Sequence, residues 1–436
     1  MNHRQVLLGK IADRNAIVAV AGLGYVGLPL AVEFAGAGFR VLGVDVDENK
    51  VRTLNAGGSY IDDVPAESVR RLVDAGMLSA TCDYADLRVA DAISICVPTP
   101  LRKTRDPDMS YINQAALSIA EICRPGMLIV LESTTYPGTT EELILPEITR
   151  DQLEVGEEVF VAYSPERIDP GNRQFSVRNT PKVVGGITEN CTEVAQALYR
   201  AAVDTIIAIS SPTAAEMVKL LENTFRAVNI GMVNEMALMC DKLDIDVWEV
   251  INAAATKPFG YMAFYPGPGL GGHCIPVDPH YLSWKLRTLD YNARFIELAS
   301  EVNASMPLYV LDKITQALND REKSVRGSQV LILGAAYKRD VDDVRESPAL
   351  DIIGLLRQRG ADVAYCDPYV PELRLDPETR LCGADYSATL LQSADCVVVV
   401  TDHSAFDWQE IAAHSCVIVD TRHVYNSSDG DHIIGL

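Results

Sequence analysis

One segment of the sequence combines a thiol with a nearby carboxylate in a stretch rich in glycine and proline. Residues 267–280 read Gly-Pro-Gly-Leu-Gly-Gly-His-Cys-Ile-Pro-Val-Asp-Pro-His, so that Cys274 is followed by Asp278. Structural cysteines usually lie inside apolar runs as small hydrophobic residues, whereas the glycines around Cys274 let the chain approach a ligand closely and expose a thiolate. Cys274 is therefore a candidate nucleophile. From this segment alone, a loop cysteine without a chemical role remains the alternative.

A second segment has the pattern of a dinucleotide-binding turn. Gly22, Gly24 and Gly27 follow an apolar run and open a helical pattern. Glycines at these positions allow a tight turn, backbone room for a pyrophosphate and close packing of helix on strand. The next predicted strand, 40–45, ends at Asp45, whose carboxylate would accept the ribose hydroxyls and repel a 2′-phosphate. The pattern predicts NAD rather than NADP, and a thiol combined with a nicotinamide site indicates an oxidation through a covalent thiohemiacetal.

The overall composition is that of a folded enzyme. The chain has 436 residues, 48% of them hydrophobic and 22% charged, which predicts two or three domains. Its formal net charge of −22 argues against nucleic acid or an anionic membrane surface as a partner. The ten cysteines are spread singly, as expected for free thiols in a reducing cytosol. Because no run reaches ~18 apolar residues and the N-terminus lacks the apolar core of a signal peptide, we expect a cytoplasmic protein.

Strand-like and helical patterns alternate in two separate parts of the chain. The first part has strand patterns at 17–21, 40–45, 92–97 and 127–132 and a helical pattern at 27–37. The second part has strand patterns at 330–334, 361–367, 394–401 and 416–420 and a helix that opens at Pro348. Short buried strands that alternate with helices predict parallel, doubly wound sheets. The second part ends a strand at Asp367 but carries Lys338 and Arg345 in place of the glycine pattern, so it should bind a different nucleotide.

The region between these parts, from about 213 to 305, has a different pattern. From Ala214 onward, apolar residues recur at helical spacing for over twenty residues without a turn signal. Lys219 and Asn223 are four residues apart and would project from the same side of this helix, although an ordinary solvated pair is the alternative. We therefore predict an α/β protein in which two Rossmann-like, doubly wound domains are joined by a long central helix.

Several motifs occur together along the chain. They are Gly22-Leu-Gly-Tyr-Val-Gly-Leu-Pro, Val97-Pro-Thr-Pro, Glu132-Ser-Thr, Ser164-Pro-Glu, Glu216-x-x-Lys219-x-x-x-Asn223, Gly271-Gly-His-Cys274-x-x-x-Asp278, and Lys338 with Arg345-Glu-Ser. In these motifs and in their order, the sequence resembles the UDP-glucose/GDP-mannose dehydrogenase family from near residue 15 to the end. Within the family, segments 164–171 and 265–276 look most like the bacterial UDP-N-acetylglucosamine 6-dehydrogenases. Val277 stands where the UDP-glucose branch commonly carries Lys, which counts against UDP-glucose as the main substrate.

The resemblance implies an activity and an organisation. The activity is a two-step, NAD-dependent oxidation of the C6 hydroxymethyl group of UDP-N-acetylglucosamine to a uronate, for O-antigen or capsule synthesis. UDP-glucose, UDP-N-acetylmannosamine and UDP-N-acetylgalactosamine are the alternative substrates. The implied domains are an NAD-binding Rossmann domain at 1–205, a central helical dimerisation or linker domain at 206–305 and a UDP-sugar-binding α/β domain at 306–436. The implied assembly is a homodimer or a higher homo-oligomer, and the implied cofactor is NAD without a metal.

The resemblance also assigns roles to single residues. Cys274 is the nucleophile and Glu166 is the base that activates water for thioester hydrolysis, while Lys219, Asn223, Asp278 and Thr134 support them. The expected cofactor-binding residues are Gly22, Gly24, Tyr25, Val26, Gly27, Asp45, Pro98, Thr99, Thr134 and Arg345. The expected substrate-binding residues are Glu166, Arg167, Arg173, Lys219, Asn223, Gly271, Cys274, Arg294 and Lys338.

Three other functions compete with this interpretation. A dehydrogenase of the 6-phosphogluconate type stops after one oxidation and needs no thiol, so a reactive Cys274 would distinguish it. A metal site could be built from His273, Cys274, Asp278 and His280, but structural zinc sites prefer spaced pairs of ligands and the prolines restrict convergence. A protein that only senses NAD would keep the glycines but has no need for the combination of Glu166 and Cys274.

Overall fold

The computed structural model describes residues 2–102, 106–168, 172, 174–376, 378–426 and 430–436. The chain divides into two compact units. The first unit contains the chain as far as Glu222 together with His280–Tyr291, and the second contains Asn223–Pro279 and Asn292–Leu436.

The described residues of the first unit form an eight-stranded sheet in the order β3-β2-β1-β4-β5-β6-β7-β8. Its strands are β1 Ile17–Ala21, β2 Arg40–Val44, β3 Leu78–Thr81, β4 Ala92–Ile95, β5 Leu128–Leu131, β6 Phe160–Tyr163, β7 Lys182–Gly186 and β8 Ile206–Ile209. Neighbouring strands are parallel except at the β6–β7 pair. The strand order reverses between β1 and β4, and in doubly wound sheets ligands bind outside the carboxyl ends of the strands at such a point.

Helices cover this sheet. They are α1 His3–Ala12, α2 Gly27–Gly36, α3 Glu48–Asn55, α4 Ala66–Asp74, α5 Ser110–Ala120, α6 Leu145–Ile148 and α7 Glu189–Tyr199, with a 3₁₀ helix at Tyr84–Val89 and a π-helical turn at Thr140–Ile144. Along β1, Val18 and Val20 belong to the apolar cluster that contains Phe34 of α2, whereas Ala19 and Ala21 belong to another cluster. Burial on both faces explains why these strands read as continuous apolar runs.

The buried carboxylate of Asp91 connects α1 to the first residue of β1. Asp91 Oδ2 accepts a hydrogen bond from Ile17 N at 3.1 Å, and Asp91 Oδ1 accepts from Lys10 Nζ at 2.7 Å and from Arg124 Nη2 at 3.2 Å. Burial opposes ionisation of Asp91, but these hydrogen bonds outweigh it and hold its pKa below the ordinary value.

The long helix predicted for the middle of the chain is α8, Pro212–Leu243, which begins in the first unit and continues into the second. Three further helices follow it, α9 Val247–Ala255, α10 Asp278–Arg287 and α11 Arg294–Asn319. Asn234 of α8 donates to Asn303 of α11 at 2.8 Å, and Asn234 accepts from Gly267 N at 3.0 Å. These buried amides fix the start of the Cys274 segment against the helices of the second unit.

The C-terminal part of the second unit has a five-stranded parallel sheet in the order β10-β9-β13-β14-β15. Its strands are β9 Gln329–Leu333, β10 Asp362–Cys366, β13 Cys396–Val399, β14 Ile418–Asp420 and β15 Ile433–Gly435, and β11 Glu372–Arg374 pairs with β12 Arg380–Cys382 in a separate hairpin. The helices are α12 Pro348–Gln358, α13 Ala388–Ser393 and α14 Trp408–His414. The two Rossmann-like sheets and the long central helix confirm the predicted fold class. No helix among the described residues is long and apolar enough to cross a membrane.

Candidate active site

The glycine turn after β1 has two tightly packed positions and one open position. Gly22 has φ +91°, and a Cβ there would lie 2.5 Å from the carbonyl oxygen of Cys96. A Cβ at Gly27 would lie 1.8 Å from the carbonyl oxygen of Gly22, whereas a Cβ at Gly24 would meet no atom within 4 Å. Gly22 and Gly27 are thus required by the protein's own packing. The open backbone at Gly24 fits the close approach of a pyrophosphate.

Asp45 lies next to this turn, as predicted from its place at the end of β2. Its side chain is largely buried, and Oδ2 accepts a hydrogen bond from Leu23 N at 2.8 Å while Oδ1 accepts from Asp47 N at 3.0 Å. Lys50 Nζ is 3.4 Å from Oδ2. Tyr25 is exposed and Val26 is partly exposed within the turn itself. The Asp45 carboxylate therefore stabilises the glycine turn through Leu23 N. It also lies at the edge of that turn, where the ribose of the cofactor is expected.

The segments after β4 and β5 carry the other predicted cofactor residues. Pro98 is exposed, and Thr99 is buried with its carbonyl oxygen accepting a hydrogen bond from Tyr281. Thr134 is partly exposed, three residues after the end of β5. Its neighbour Thr135 is fully buried, and its hydroxyl has no hydrogen-bond partner among the described residues. Thr135 is thus a second candidate at this strand end, which the motif alone did not single out.

A buried carboxylate on α8 anchors the segment that follows Thr134. Glu216 Oε2 accepts from Gly138 N at 2.5 Å, and Oε1 accepts from Thr140 N at 2.8 Å and from the Thr140 hydroxyl at 2.7 Å. Burial raises the pKa of Glu216. Glu216 therefore has a structural role, because its hydrogen bonds connect α8 to the loop that follows Thr134.

Glu166 and Lys219 are brought together in the first unit. Lys219 Nζ donates to the carbonyl oxygen of Glu166 at 2.6 Å, and both side chains are buried. Glu166 Oε1 accepts from the backbone N–H groups of Arg167 and Ile168, each at 2.7 Å. Glu166 Oε2 is buried, and no described residue donates a hydrogen bond to it. One carboxylate oxygen is thus fixed by the backbone and the other remains an acceptor.

A buried ion pair behind Glu166 was not anticipated from the sequence. Lys182 Nζ lies 2.6 Å from Glu132 Oε2 and 3.7 Å from Glu166 Oε2. Glu132 belongs to one of the motifs, but Lys182 is a single lysine at the start of an apolar strand, fifty residues further along the chain. Only the order of strands in the sheet places the two side chains together.

The predicted phosphate-binding arginines have different surroundings. Arg167 Nη2 forms a salt bridge with Glu222 at 2.6 Å, and Arg167 Nη1 donates to the carbonyl oxygen of Pro181 at 2.5 Å. Arg294 is exposed at the first residue of α11. Arg173 lies outside the described residues. Arg167 thus already has two acceptors within its own unit.

The thiol segment belongs to the second unit. Cys274 is exposed, and its carbonyl oxygen accepts hydrogen bonds from Val277 N at 3.1 Å and Asp278 N at 2.8 Å. Asp278 is 2% exposed as the first residue of α10, and its Oδ2 accepts from Asn223 Nδ2. The structure therefore brings Asn223 and Asp278 into contact, in a tight turn that begins at Cys274.

The glycines before the thiol pack against an aromatic ring. A Cβ at Gly271 would lie 2.6 Å from Tyr337 Cβ, and one at Gly272 would lie 2.8 Å from Tyr337 Cε2. Gly272 N also donates to the carbonyl oxygen of Arg345 at 3.0 Å, and the Arg345 guanidinium holds Asp343 through two nitrogen atoms. Lys338, which follows Tyr337, is partly exposed. These contacts bring Gly271, Lys338 and Arg345 close together. They also show that the protein's own packing requires glycine at 271 and 272, whether or not a sugar is bound.

The alternative of a metal site would use the side chains of His273, Cys274, Asp278 and His280. Burial and the Arg345 charge lower the pKa of His273, which would leave its ring neutral. Within the part of the chain that the structure describes, no group of three or more His, Cys, Asp or Glu side chains is placed to hold a metal ion.

Comparison with known proteins gives matches along almost the whole chain. Three models of the UDP-glucose/GDP-mannose dehydrogenase family match: the NAD binding domain at residues 16–203, the central domain at 213–305 and the UDP binding domain at 331–427. The chain is 35% identical to a UDP-N-acetyl-D-mannosamine dehydrogenase of Pyrococcus horikoshii over 93% of this chain and 95% of that protein. It is 36% identical to an NDP-N-acetyl-D-galactosaminuronic acid dehydrogenase of Ralstonia nicotianae over 94% of this chain and 96% of that one. The solved structure of a UDP-D-ManNAc dehydrogenase from Pyrococcus horikoshii has a TM-score of 0.88 at 33% identity, covering 96% of this chain and 98% of the other.

Proposed function

Since this chain belongs to the UDP-glucose/GDP-mannose dehydrogenase family and is an NAD-dependent nucleotide-sugar dehydrogenase, we propose that it oxidises C6 of a UDP-linked 2-acetamido sugar to the carboxylate through a covalent bond to Cys274. The observation that carries the proposal is the exposed thiol of Cys274 in a turn whose backbone is fixed by Val277 and Asp278. A dehydrogenase that stops after one oxidation has no use for a nucleophile held in this way.

The thiol solves the problem of the second oxidation. A free aldehyde cannot donate a hydride until a nucleophile has added to its carbonyl carbon, and the Cys274 sulfur adds there to form a thiohemiacetal. Each of the two oxidations would pass one hydride to one NAD bound at the glycine turn, and the second oxidation would convert the thiohemiacetal to a thioester. Lys219 and Asn223 donate hydrogen bonds to the developing oxyanion, a contribution often worth ~3 kcal/mol per donor. Asp278, which accepts from Asn223, keeps the Asn223 amide oriented with its N–H groups as donors.

Hydrolysis of the resulting thioester completes the reaction. Water adds to the thioester carbonyl and gives its proton to Glu166, a C–O bond forms, and the C–S bond breaks to release the Cys274 thiolate. The buried Oε2 of Glu166, which accepts no hydrogen bond from the described residues, supports this role, since a general base needs an available lone pair. Thr134 is assigned to order the water, with the buried hydroxyl of Thr135 at the same strand end as the alternative.

Replacement of the nucleophile tests the covalent mechanism. Cys274→Ser should bind NAD and the UDP-sugar normally but lose net turnover by at least ~1,000-fold, because a serine alkoxide is scarcely populated at neutral pH. Cys416→Ser is the matched control, since Cys416 is another exposed thiol. Stoichiometry is measured as NADH formed per uronate, with two expected for the wild type. Uronate production by Cys274→Ser at the wild-type rate would end the thioester mechanism.

The substrate class rests on the relatives and on the sequence near the thiol. The relatives described above are named for N-acetylated sugars, and Val277 replaces the lysine common in the UDP-glucose branch. The sequence favours UDP-N-acetylglucosamine, while the relatives' names favour the N-acetylmannosamine and N-acetylgalactosamine series, and what these sugars share is the acetamido group. The uronate product would serve the assembly of a surface polysaccharide.

A substrate panel tests this class directly. We expect the highest kcat/KM with one of the UDP-N-acetylhexosamines in the gluco, manno or galacto configuration, and a value at least ~10-fold lower with UDP-glucose. GDP-mannose in the same assay controls for the nucleotide. A panel in which UDP-glucose has the highest kcat/KM would overturn the substrate class and leave the covalent mechanism standing.

The domain limits 1–205, 206–305 and 306–436 and self-association belong to the same proposal. A stripe of exposed apolar side chains follows α8 at spacings of one or two helical turns: Phe225, Met232, Met236, Met239 and Leu243. Exposed apolar patches of this kind mark protein interfaces, and a helix stripe pairs readily with its own copy. Light scattering should show that Met236→Glu shifts the protein from dimer or larger assembly toward monomer, while the control Val89→Glu leaves the mass unchanged. A monomeric wild-type protein would contradict this part.

A further inference from the structure

Lys182 is the first residue of β7, and its side chain is buried in the first unit with only 5% exposure. A lysine is almost never buried to this extent unless its charge is paired. Its ammonium lies 2.6 Å from Glu132 Oε2, 3.4 Å from the carbonyl oxygen of Pro165 and 3.7 Å from Glu166 Oε2. Two of these three acceptors belong to the Pro165-Glu166 dipeptide. The lysine is therefore anchored to the segment that carries the hydrolytic base.

Glu132 is the fully satisfied member of the cluster. Its Oε2 is paired with Lys182, and its Oε1 accepts a hydrogen bond from the Tyr199 hydroxyl, which lies 3.3 Å from Ser94 Oγ. Glu132 and Tyr199 are both fully buried. Glu132 therefore has no lone pair that faces a ligand, and its task is to hold the ammonium of Lys182 in place.

The charges of the cluster do not cancel. One ammonium, on Lys182, faces two carboxylates, on Glu132 and Glu166, and a buried uncompensated charge is costly. Burial lowers the pKa of Lys182, but the carboxylates of Glu132 and Glu166 outweigh this and keep its pKa above the ordinary value. Lys182 thus stays charged and is unsuited to take a proton. Burial raises the pKa of Glu132, and Glu166 Oε2 is the one oxygen of the two carboxyl groups without a hydrogen bond from the described residues.

We propose that Lys182 is a positioning residue that aims Glu166 Oε2 at the water that hydrolyses the thioester. Lys219 fixes the Glu166 carbonyl oxygen from α8, and Lys182 fixes the side chain from β7 without occupying Oε2 at hydrogen-bond distance. Glu132 sets that separation by holding the ammonium at 2.6 Å. This inference rests on the proposed function, which gives Glu166 the role of base.

The main test removes the pair as a unit. Lys182→Met alone would leave the Glu132 side chain buried without its partner, which is strongly destabilising. The double variant Glu132→Leu/Lys182→Met replaces the pair by apolar groups of similar volume, a change that is often neutral for folding. In it, kcat should fall by about 100-fold, as expected for a misplaced catalytic group, while KM for the UDP-sugar stays within ~3-fold. The covalent sugar adduct on Cys274 should accumulate and be visible by intact-protein mass spectrometry.

A second variant leaves Lys182 in place. Glu132→Gln keeps the size of the side chain but removes the charge that holds the ammonium, so that Lys182 moves onto Glu166 Oε2 and occupies the lone pair needed by the water. It should also slow kcat and accumulate adduct, whereas Lys182→Arg, which keeps the charge, should retain kcat within ~10-fold. Lys10→Met, which breaks a partly exposed pair elsewhere in the unit, is the control and should show neither effect.

Glu166→Gln, measured in parallel, separates the two hypotheses. Adduct in Glu166→Gln with wild-type kcat and no adduct in both Glu132→Gln and the double variant would overturn the role of Lys182 and leave that of Glu166 intact. Absence of adduct in Glu166→Gln under saturating NAD and UDP-sugar would instead overturn the base on which the inference rests.

Discussion

Alanine substitutions at Gly24 and Gly27 should separate the two tasks of the glycine turn. A Cβ at Gly27 would lie 1.8 Å from the carbonyl oxygen of Gly22 and 2.9 Å from its carbonyl carbon. Because the obstacle is backbone rather than the end of a flexible side chain, the turn itself must move. We expect Gly27→Ala to cost about 3 kcal/mol, the upper part of the range for overpacking. A Cβ at Gly24 meets no protein atom within 4 Å, so that Gly24→Ala should change the free energy of unfolding by less than ~0.5 kcal/mol.

The two variants should therefore show their defects in different assays: Gly27→Ala in thermal stability and Gly24→Ala in NAD binding. A cost of 1 kcal/mol lowers Tm by about 2–4 °C for a unit of this size, so Gly27→Ala should melt about 6–12 °C below the wild type, and Gly24→Ala within ~2 °C of it. Gly24→Ala should instead weaken NAD binding at least ~10-fold, which is a loss of ~1.4 kcal/mol, because its methyl group occupies the space in which the backbone meets the pyrophosphate. Scanning calorimetry without ligand and NAD titration measure the two effects. Normal NAD affinity in Gly24→Ala, or an unchanged Tm in Gly27→Ala, would refute the reasoning.

Three further predictions concern carboxylates. NADP should be used roughly 100-fold less efficiently than NAD because a 2′-phosphate would face Asp45, and Asp45→Asn should narrow that ratio of kcat/KM; equal use of both cofactors by the wild type would place Asp45 outside the site. Asp91→Asn should lower the free energy of unfolding by about 1–2 kcal/mol near pH 7. Because the folded-state pKa of Asp91 is lowered, this stabilisation is complete above the unfolded value of about 3.9 and is lost as pH falls through the folded value, so the variant and the wild type should converge in acid denaturation. Glu216→Gln should cost about 1–3 kcal/mol, since an amide nitrogen would face a backbone N–H, whereas the exposed Glu141→Gln should be neutral.

The parts of the fold that follow from local chemistry could be predicted from the sequence. Strand β1 has the predicted limits, Ile17–Ala21, and α12 begins at the predicted Pro348. The other predicted strands end one or two residues before their predicted limits, except the strand at 416–420, which ends at Asp420 as predicted. The tight packing of Gly27 was also predictable, since the obstructing carbonyl belongs to Gly22, five residues earlier, whereas at Gly22 the obstructing carbonyl belongs to the distant Cys96.

Contacts between distant segments could not be predicted in this way. Nothing local marks Lys182 as the partner of Glu132, because the pairing depends on which strands become neighbours. The choice between Thr134 and Thr135 has a similar origin. A motif identifies the strand end, but only the backbone path beyond β5 decides that Thr135 points into the protein.

The two strand-end aspartates show how far the resemblance between the two sheets extends. Asp45 in the first unit and Asp367 in the second each accept a hydrogen bond from a backbone N–H in the loop after their unit's central strand. Asp367, however, also accepts from His403 Nε2 at 2.9 Å and from Tyr369 N at 2.8 Å. Burial opposes its ionisation, but these hydrogen bonds outweigh it and lower the pKa of Asp367.

The surroundings of Asp367 decide what the second sheet can recognise. One of its oxygens is shared by Ala335 N, Ala336 N and His403, and the other is taken by backbone N–H groups. Ribose hydroxyls would have to displace bonds that fix the loop after β9, whereas Asp45 has fewer donors to exchange. A Cβ at Gly334 would lie 2.4 Å from the carbonyl oxygen of Thr401, so the one glycine kept after β9 serves the packing of the loop. The strand-end carboxylate of this unit has therefore become a structural acceptor, and it is not available to a ribose in the way that Asp45 is.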